Sequence, residues 1–461
     1  MPSIPKSVNG VGSTLPSMKR RSFLKGLAAA AAVPALSAAA LRPSPAPPLS
    51  ALASPEDDEA YWSMVRSCFA LRPGYHFLNT GTKGTSPFNA VDCQHNCTRI
   101  IAEDPWQEWE VYEKYVTAKL PLVAEFVGAD KDEIALMYNT TDGMNAIVHG
   151  LRLEVGDEVL LSDQEHPSGN EPWNLRRKQD GIVINHFPTS TPPKSKEELV
   201  QAAAAAITPK TKVLCISHLC YTTSLLMPIK ELSEMAHSRN LLVLVDGAHP
   251  LGMLKLDFHD LGCDFYATSG QKWICGPLGT GLLYVKKEDL EWIDPLIVSG
   301  GWDVAHDAGK FMARSSVNTP SWASLIAAME FQKAIGREKI ERRVRFLATR
   351  LRTGLASISG LRLYTSNDPE LSAGLTTLSL PDYENTTVLA ALNEHYGLYP
   401  RTIGHDLNAV RVSTHIINSV EEVDMMLEAI DEIATKGLPQ VSTAALMRAE
   451  REMERIESFC A

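Results

Sequence analysis

Short apolar runs alternate with amphipathic stretches through the middle of the chain. The runs Ile134–Tyr138, Glu158–Ser162, Ile182–Phe187, Lys212–Ser217, Leu241–Asp246, Asp264–Thr268 and Gly281–Val285 read as seven strands. Every position from Leu241 to Val245 is apolar, as a parallel strand covered on both faces requires. Helical patterns at Thr141–Leu151, Lys196–Ile207 and Ile229–Arg239 lie between these runs. Such strand–helix repetition predicts an α/β fold, with a doubly wound sheet and a ligand crevice beyond the carboxyl ends of its strands. A long helical stretch is expected over residues 321–357, then a mixed region over 361–435 that ends in the amphipathic Val420–Ile433. Residues after Gly437 read as a charged helical tail, and no internal repeat is visible.

The first fifty residues follow a different pattern. Lys6, Lys19, Arg20, Arg21, Lys25 and Arg42 all precede Glu56, the first acidic residue. Arg20 and Arg21 lead through Phe23, Leu24 and Lys25 into a modest apolar run from Leu27 to Leu41, interrupted by Pro34. That run is too short and too alanine-rich for a stable membrane span, and Ala38 to Ala40 offer a peptidase site. The segment resembles a twin-arginine signal, with Met1 or Met18 as the start. The resemblance implies export of the folded protein by the twin-arginine machinery to a periplasmic or other extracytoplasmic destination.

The whole chain carries 44 Lys+Arg against 55 Asp+Glu, a net −11. Removing residues 1–50 leaves 38 against 55, or −17, which gives no support to nucleic-acid binding. Eight cysteines are scattered without a CxxC pair, so no disulfide framework is expected. Cys93, His95 and Cys97 lack a second ligand pair, and packing explains them better than a metal does.

The most informative chemistry lies at Asp246-Gly247-Ala248-His249 and Ser269-Gly270-Gln271-Lys272. Asp246 ends the most apolar strand, where a carboxylate needs a cation or a strong donor. Lys272 follows another strand end, and a lysine enclosed in a crevice can lose its proton and form a Schiff base with an aldehyde. Pyridoxal 5'-phosphate (PLP) requires these parts: a lysine for its aldehyde, an acid for its pyridine nitrogen and donors for its phosphate.

With these motifs and the following Gly276 to Tyr284, the chain resembles the class V aminotransferase family of fold-type I PLP enzymes. That family includes cysteine desulfurases and isopenicillin N epimerases. The resemblance runs from about Phe77 to Ile433. It implies a large domain with a mostly parallel seven-stranded sheet and a smaller C-terminal α/β domain. The expected division is 1–50 signal and linker, 51–75 arm, 76–320 PLP-binding domain, 321–435 small domain and 436–461 helical tail.

By the same resemblance, Lys272 forms the Schiff base, Asp246 pairs with the pyridine nitrogen, and His249 lies near the cofactor's phenolic oxygen. Thr140 and Thr141 open a helix whose N-terminus suits a phosphate, with simple capping as the plainer alternative. Ser269 and Gln271 occupy further phosphate-binding positions. His166 is expected to stack on the ring, and Tyr221 stands where many relatives have Asn. Thr319, in Asn318-Thr319-Pro320, resembles the segment by which a neighbouring subunit reaches the phosphate, implying a homodimer with shared sites. Arg411, with Arg401 as a second candidate, matches the arginine that grips a substrate carboxylate. Asn79, in Phe77-Leu-Asn79-Thr80-Gly81-Thr82-Lys83-Gly84, resembles the substrate mouth of the isopenicillin N epimerase-like branch.

Cysteine desulfurases keep a catalytic cysteine shortly after the position of Arg401; here none occurs before Cys460. Gly276–Gly281 leads into a strand, which argues against a nucleotide loop. A metal set of Asp246, His249, His259 and Asp260 matches no established spacing. The expectation is therefore a PLP-dependent enzyme acting at Cα of an α-amino acid or a similar substrate. Epimerase or aminotransferase-type chemistry leads, C–S or β-elimination lyase chemistry is the alternative, and a non-catalytic exported binding protein is a distant third.

Overall fold

All seven apolar runs become strands in the computed structural model, which describes residues 47–460 except 55–56, 304–305 and 405–406, with side chains through residue 455. The twin-arginine segment lies outside the described residues. The strands are β1 (Ile134–Met137), β2 (Glu158–Ser162), β3 (Val183–Phe187), β4 (Thr211–Ser217), β5 (Leu242–Asp246), β6 (Phe265–Ser269) and β7 (Gly281–Val285). They form one sheet in the order β1-β7-β6-β5-β4-β2-β3. Strands β2 to β6 pair in parallel, whereas β7 runs antiparallel to both β1 and β6. Along β5, Val243 and Val245 enter one hydrophobic core while Leu244 enters another. A strand of this kind must be apolar throughout, because each face meets its own layer.

The second sheet is antiparallel: β8 (Arg362–Leu363), β9 (Leu375–Ser379), β10 (Arg401–Ile403) and β11 (Ala409–Ser413), in the order β10-β11-β9-β8. Its core includes Leu347 and Leu351 from one helix and Met426 and Ile430 from another. The stretch expected as one helix over 321–357 is in fact two, Thr319–Ile335 and Arg337–Leu355, because Gly336 takes φ 100°. Glycine tolerates that backbone, and a helix cannot pass through it. A third, two-stranded parallel sheet pairs His76–Phe77 with Leu398–Tyr399, and residues Ala46–Ala461 form one compact unit that includes all three sheets.

Four helices position the site: α1 (Thr140–Gly150), α2 (Pro167–Asp180), α3 (Asn385–His395) and α4 (Thr443–Cys460). Pro172 inside α2 hides that helix from the sequence pattern. Helix α4 seats Ala449 against Leu389 and Ala390 of α3. No helix of the described residues is long and apolar enough to cross a membrane.

Candidate active site

A cavity of about 1280 Å³ opens beyond the carboxyl ends of the parallel strands, where the sequence pattern places a ligand crevice. Asp246, at the end of β5, is 3% exposed. Its Oδ1 accepts the Ala248 N–H at 3.0 Å and its Oδ2 accepts the Ser168 hydroxyl at 3.2 Å. Burial pushes this carboxyl above its ordinary pKa, and the charge of Lys272 opposes that shift. Beyond β6 the chain turns through Gln271 to Lys272, whose amine burial brings down to about 7, with Asp246 pulling the other way. Nζ lies 3.4 Å from Nε2 of His249, whose Nδ1 accepts the Trp273 indole N–H at 3.4 Å. A lysine held near 7 is substantially neutral at neutral pH, and hence a nucleophile and a base.

His166 caps α2: its Nδ1 accepts the Ser168 N–H at 3.1 Å and lies 2.7 Å from the Ser168 hydroxyl. The Ser168 hydroxyl therefore stands between the imidazole and Asp246, with one hydrogen to give to either. Burial first, then Lys272, Arg401 and Arg411, push His166 down to about 3, so the ring is neutral. Its ring meets Tyr221 edge-on at 4.8 Å. Under this floor sits Glu165, which accepts from Ser162 and, at 2.6 Å, from Ser217. Burial raises Glu165 to about 7 despite those donors. At the start of α1, Thr140 N–H donates to Ser269 Oγ at 3.1 Å, and the two hydroxyls lie 2.7 Å apart.

One wall comes from the loop Phe77–Gly84, pressed between the two sheets. A Cβ at Gly84 would lie 2.1 Å from the Lys272 carbonyl oxygen, and one at Gly81 would lie 2.9 Å from Leu375 Cδ2 and Ser413 Oγ. At Gly84 the approach of backbone demands glycine, whereas at Gly81 the close neighbours are side-chain ends. Between them, Thr82 Oγ1 accepts from Arg401 Nη1 and from Arg411 Nη2, each at 3.1 Å. It donates in turn to Asn79 Oδ1 at 2.7 Å. Arg411 is fully buried, donates from Nη1 to the Tyr221 carbonyl at 2.9 Å, and forms no ion pair among the described residues. Burial and the like charge of Arg401 hold its pKa well below the ordinary value.

Asn79, Thr140, Thr141, His166, Tyr221, Asp246, His249, Ser269, Gln271, Lys272 and Arg401 all line this one cavity. Arg411 lies just behind the lining, reached through Thr82. Thr319 lies elsewhere, its hydroxyl donating to Glu108 at 2.7 Å. The metal set drawn from the sequence does not assemble, because His259 pairs with Glu133 and Asp260 with Lys230. Glu165, Ser168 and the arginines of α4 were missed. The helical spacing of Arg448, Arg451 and Arg455 would have placed the arginines on one face.

The residues fit PLP. Gln271 Oε1 is buried without a hydrogen-bond partner in the lining, the α1 N-terminus and two hydroxyls form a phosphate-sized cradle, and Lys272 and Asp246 supply the amine and the acid.

Similarity to known proteins agrees. A family model described as "Aminotransferase class-V" matches residues 104–426. The chain belongs to the class V aminotransferase family. It is a PLP-dependent enzyme of that family, and a twin-arginine signal model matches residues 17–37. Isopenicillin N epimerase of Streptomyces clavuligerus is 30% identical over 399 residues, covering 81% of this chain and 98% of that protein. A probable cysteine desulfurase of Methanothermobacter thermautotrophicus is 28% identical, covering 68% and 82% respectively. Among solved structures, a lysine-to-alanine mutant of C-DES with glycine covalently linked to its PLP cofactor aligns with TM-score 0.73 at 25% identity. That alignment covers 80% of this chain and 99% of C-DES.

Proposed function

We propose that this enzyme, exported by the twin-arginine route to the periplasm or another extracytoplasmic space, acts at Cα of an α-amino acid or amino-acid-like substrate. Epimerase or aminotransferase-type chemistry, most like isopenicillin N epimerase, is the leading reading. The observation that carries it is the pairing of a lysine near 7 with two guanidinium groups that converge on the Thr82 hydroxyl. Two cations meeting at one neutral oxygen leave room for a carboxylate, and the lysine supplies the base that a neighbouring Cα–H requires.

Bound PLP supplies the electron sink that acidifies the substrate Cα–H. The chain's own residues divide the remaining work. Thr140, Thr141, Ser269 and Gln271 would hold the phosphate, Asp246 would hold the ring nitrogen, and His166 would lie against the ring. Lys272 would hold the cofactor's aldehyde and, as a neutral amine, would move the Cα proton. Tyr221 donates near the reacting atoms. A homodimer, in which Thr319 of one copy reaches the other's phosphate, belongs to the same proposal.

A second reading is a C–S or β-elimination lyase. It is favoured by the fold neighbour described as the cystine C–S lyase C-DES and by the lack of a desulfurase cysteine between Arg401 and Cys460. An amino-acid panel in deuterated water separates the readings. Deuterium at Cα with inverted configuration marks epimerisation, keto acid marks transamination, and pyruvate with ammonia marks elimination. A holoenzyme that exchanges no Cα hydrogen with any amino acid would overturn the proposal.

A further inference from the structure

Helix α4 reaches the cavity mouth, where Arg448, Arg451, Glu452 and Arg455 join Lys83 and Arg401 in its lining. The helix is held there on purpose-built contacts. Ala449 is buried against α3, Glu394 accepts the Ser442 N–H at 2.8 Å, and His395 Nε2 meets the Gln440 carbonyl at 2.9 Å. Besides Lys272 and Asp246, the lining carries five cations against only Glu171 and Glu452. Glu452 answers to Arg401, whose charge draws its carboxyl back toward ionisation against burial. Arg448 is answered in part by Glu394, whose carboxyl is held low first by Ser442 and also by the charge of Arg448. Arg448 and Arg451 are exposed and form no ion pair among the described residues, and with Lys83 they leave the opening richer in cations than in acids. Like charges gathered on one rim raise the local concentration of anions and bind one that bridges them.

We infer that α4 forms a second anion station at the mouth, and that the substrate is an α-amino acid bearing a distal carboxylate. This rests on the proposed function, in which the α-carboxylate meets Arg411 and Arg401 deeper in. The two stations differ in depth: Arg411 is fully buried, whereas Arg448 and Arg451 lie in solvent. A neutral amino acid fills only the inner station. A cationic side chain is repelled at the outer one.

The test uses PLP-loaded full-length enzyme and follows the visible cofactor band during titration. Glutamate and its longer ω-carboxylate homologues are compared with neutral amino acids of matched length. At low salt, one member of the acidic series is expected to bind about tenfold tighter than its neutral match. That ratio should shrink as salt screens the rim. In an Arg448→Gln/Arg451→Gln double variant the ratio should fall to within about twofold of one, and Arg→Lys at both sites should restore part of it. No acidic preference in the parent enzyme, or an undiminished preference in the double variant, would overturn the inference while the proposed function stands. If neither series perturbs the band, the amino-acid reading itself fails and takes this inference with it.

Discussion

On the floor of the cavity, Lys272 and Asp246 place opposite charges that act on one another, whereas on its wall Arg401 and Arg411 place like charges around one hydroxyl. Both arrangements are buried or nearly so, and both move pKa values, but in different senses. The floor is close to electrically closed: a near-neutral lysine, a neutral His166, and an acid that burial pushes toward its proton. It is suited to holding a cofactor and moving single protons. On the wall, Arg411 has no ion-pair partner among the described residues, and the proposed substrate carboxylate would supply one.

The sharpest way to break the floor is Lys272→Ala. It removes the covalent attachment and the base together. Turnover should fall by at least about 10³-fold, since a positioned base alone contributes on the order of 10²–10⁴. Borohydride treatment should then fix no cofactor to the protein. Equal borohydride labelling of variant and parent would move the chemistry to another lysine.

On the wall the expected loss of function is smaller and comes with a gain in stability. Arg411→Met removes an unpaired buried cation and keeps an apolar stem of similar length. Substrate affinity should weaken by roughly 100-fold, the scale of losing charge-assisted hydrogen bonds to a carboxylate. The cofactor-free protein should melt no lower than the parent and is expected to melt higher, because an uncompensated buried charge costs stability. A lower melting temperature would mean that the bonds to Tyr221 and Thr82 outweigh the repulsion.

Floor and wall also differed in how visibly they were written in the sequence. Floor strands are covered on both faces, so they read as unbroken apolar runs, and the chemistry sits where those runs stop: Asp246, Ser269 and Lys272 are all strand-end residues or close to one. Wall residues come from a loop, a short antiparallel sheet and a terminal helix. Nothing local in Thr82 or Arg411 says that they meet, and Arg401 and Arg411 were found by resemblance to a family rather than by spacing. The α4 pattern shows an amphipathic helix but not the surface it covers. Ser168 and Glu165 escaped notice for a related reason, since a serine and an acid beside a capping histidine look like ordinary turn chemistry. Their roles depend on Asp246 and Ser217, 78 and 52 residues away.

Glu165 sharpens the account of the floor through pH. Its folded pKa, about 7, lies above the ordinary 4.5. Between those values the folded protein keeps a proton that the unfolded chain has lost, so stability falls as pH rises through that window. The fall should be on the order of 3 kcal/mol. Glu165→Gln cannot ionise and should flatten this part of a melting-temperature profile. An unchanged slope from pH 4.5 to 7 would show that Glu165 is already ionised in the fold.

The smallest effect is expected where floor and wall touch, at Tyr221. Its carbonyl receives Arg411, and its ring meets His166 edge-on, so the residue does structural work that needs no hydroxyl. Tyr221→Phe keeps both the carbonyl and the ring and isolates the phenol. If the phenol donates near the reacting atoms, turnover should drop several-fold to about 100-fold, with substrate affinity nearly constant, the signature of an interaction made in the transition state. The visible band should shift as well, because a donor beside the cofactor alters its absorbance. Should band and turnover both stay as they were, Tyr221 belongs to the wall alone, a backbone prop for Arg411. The proton traffic would then rest entirely on Lys272.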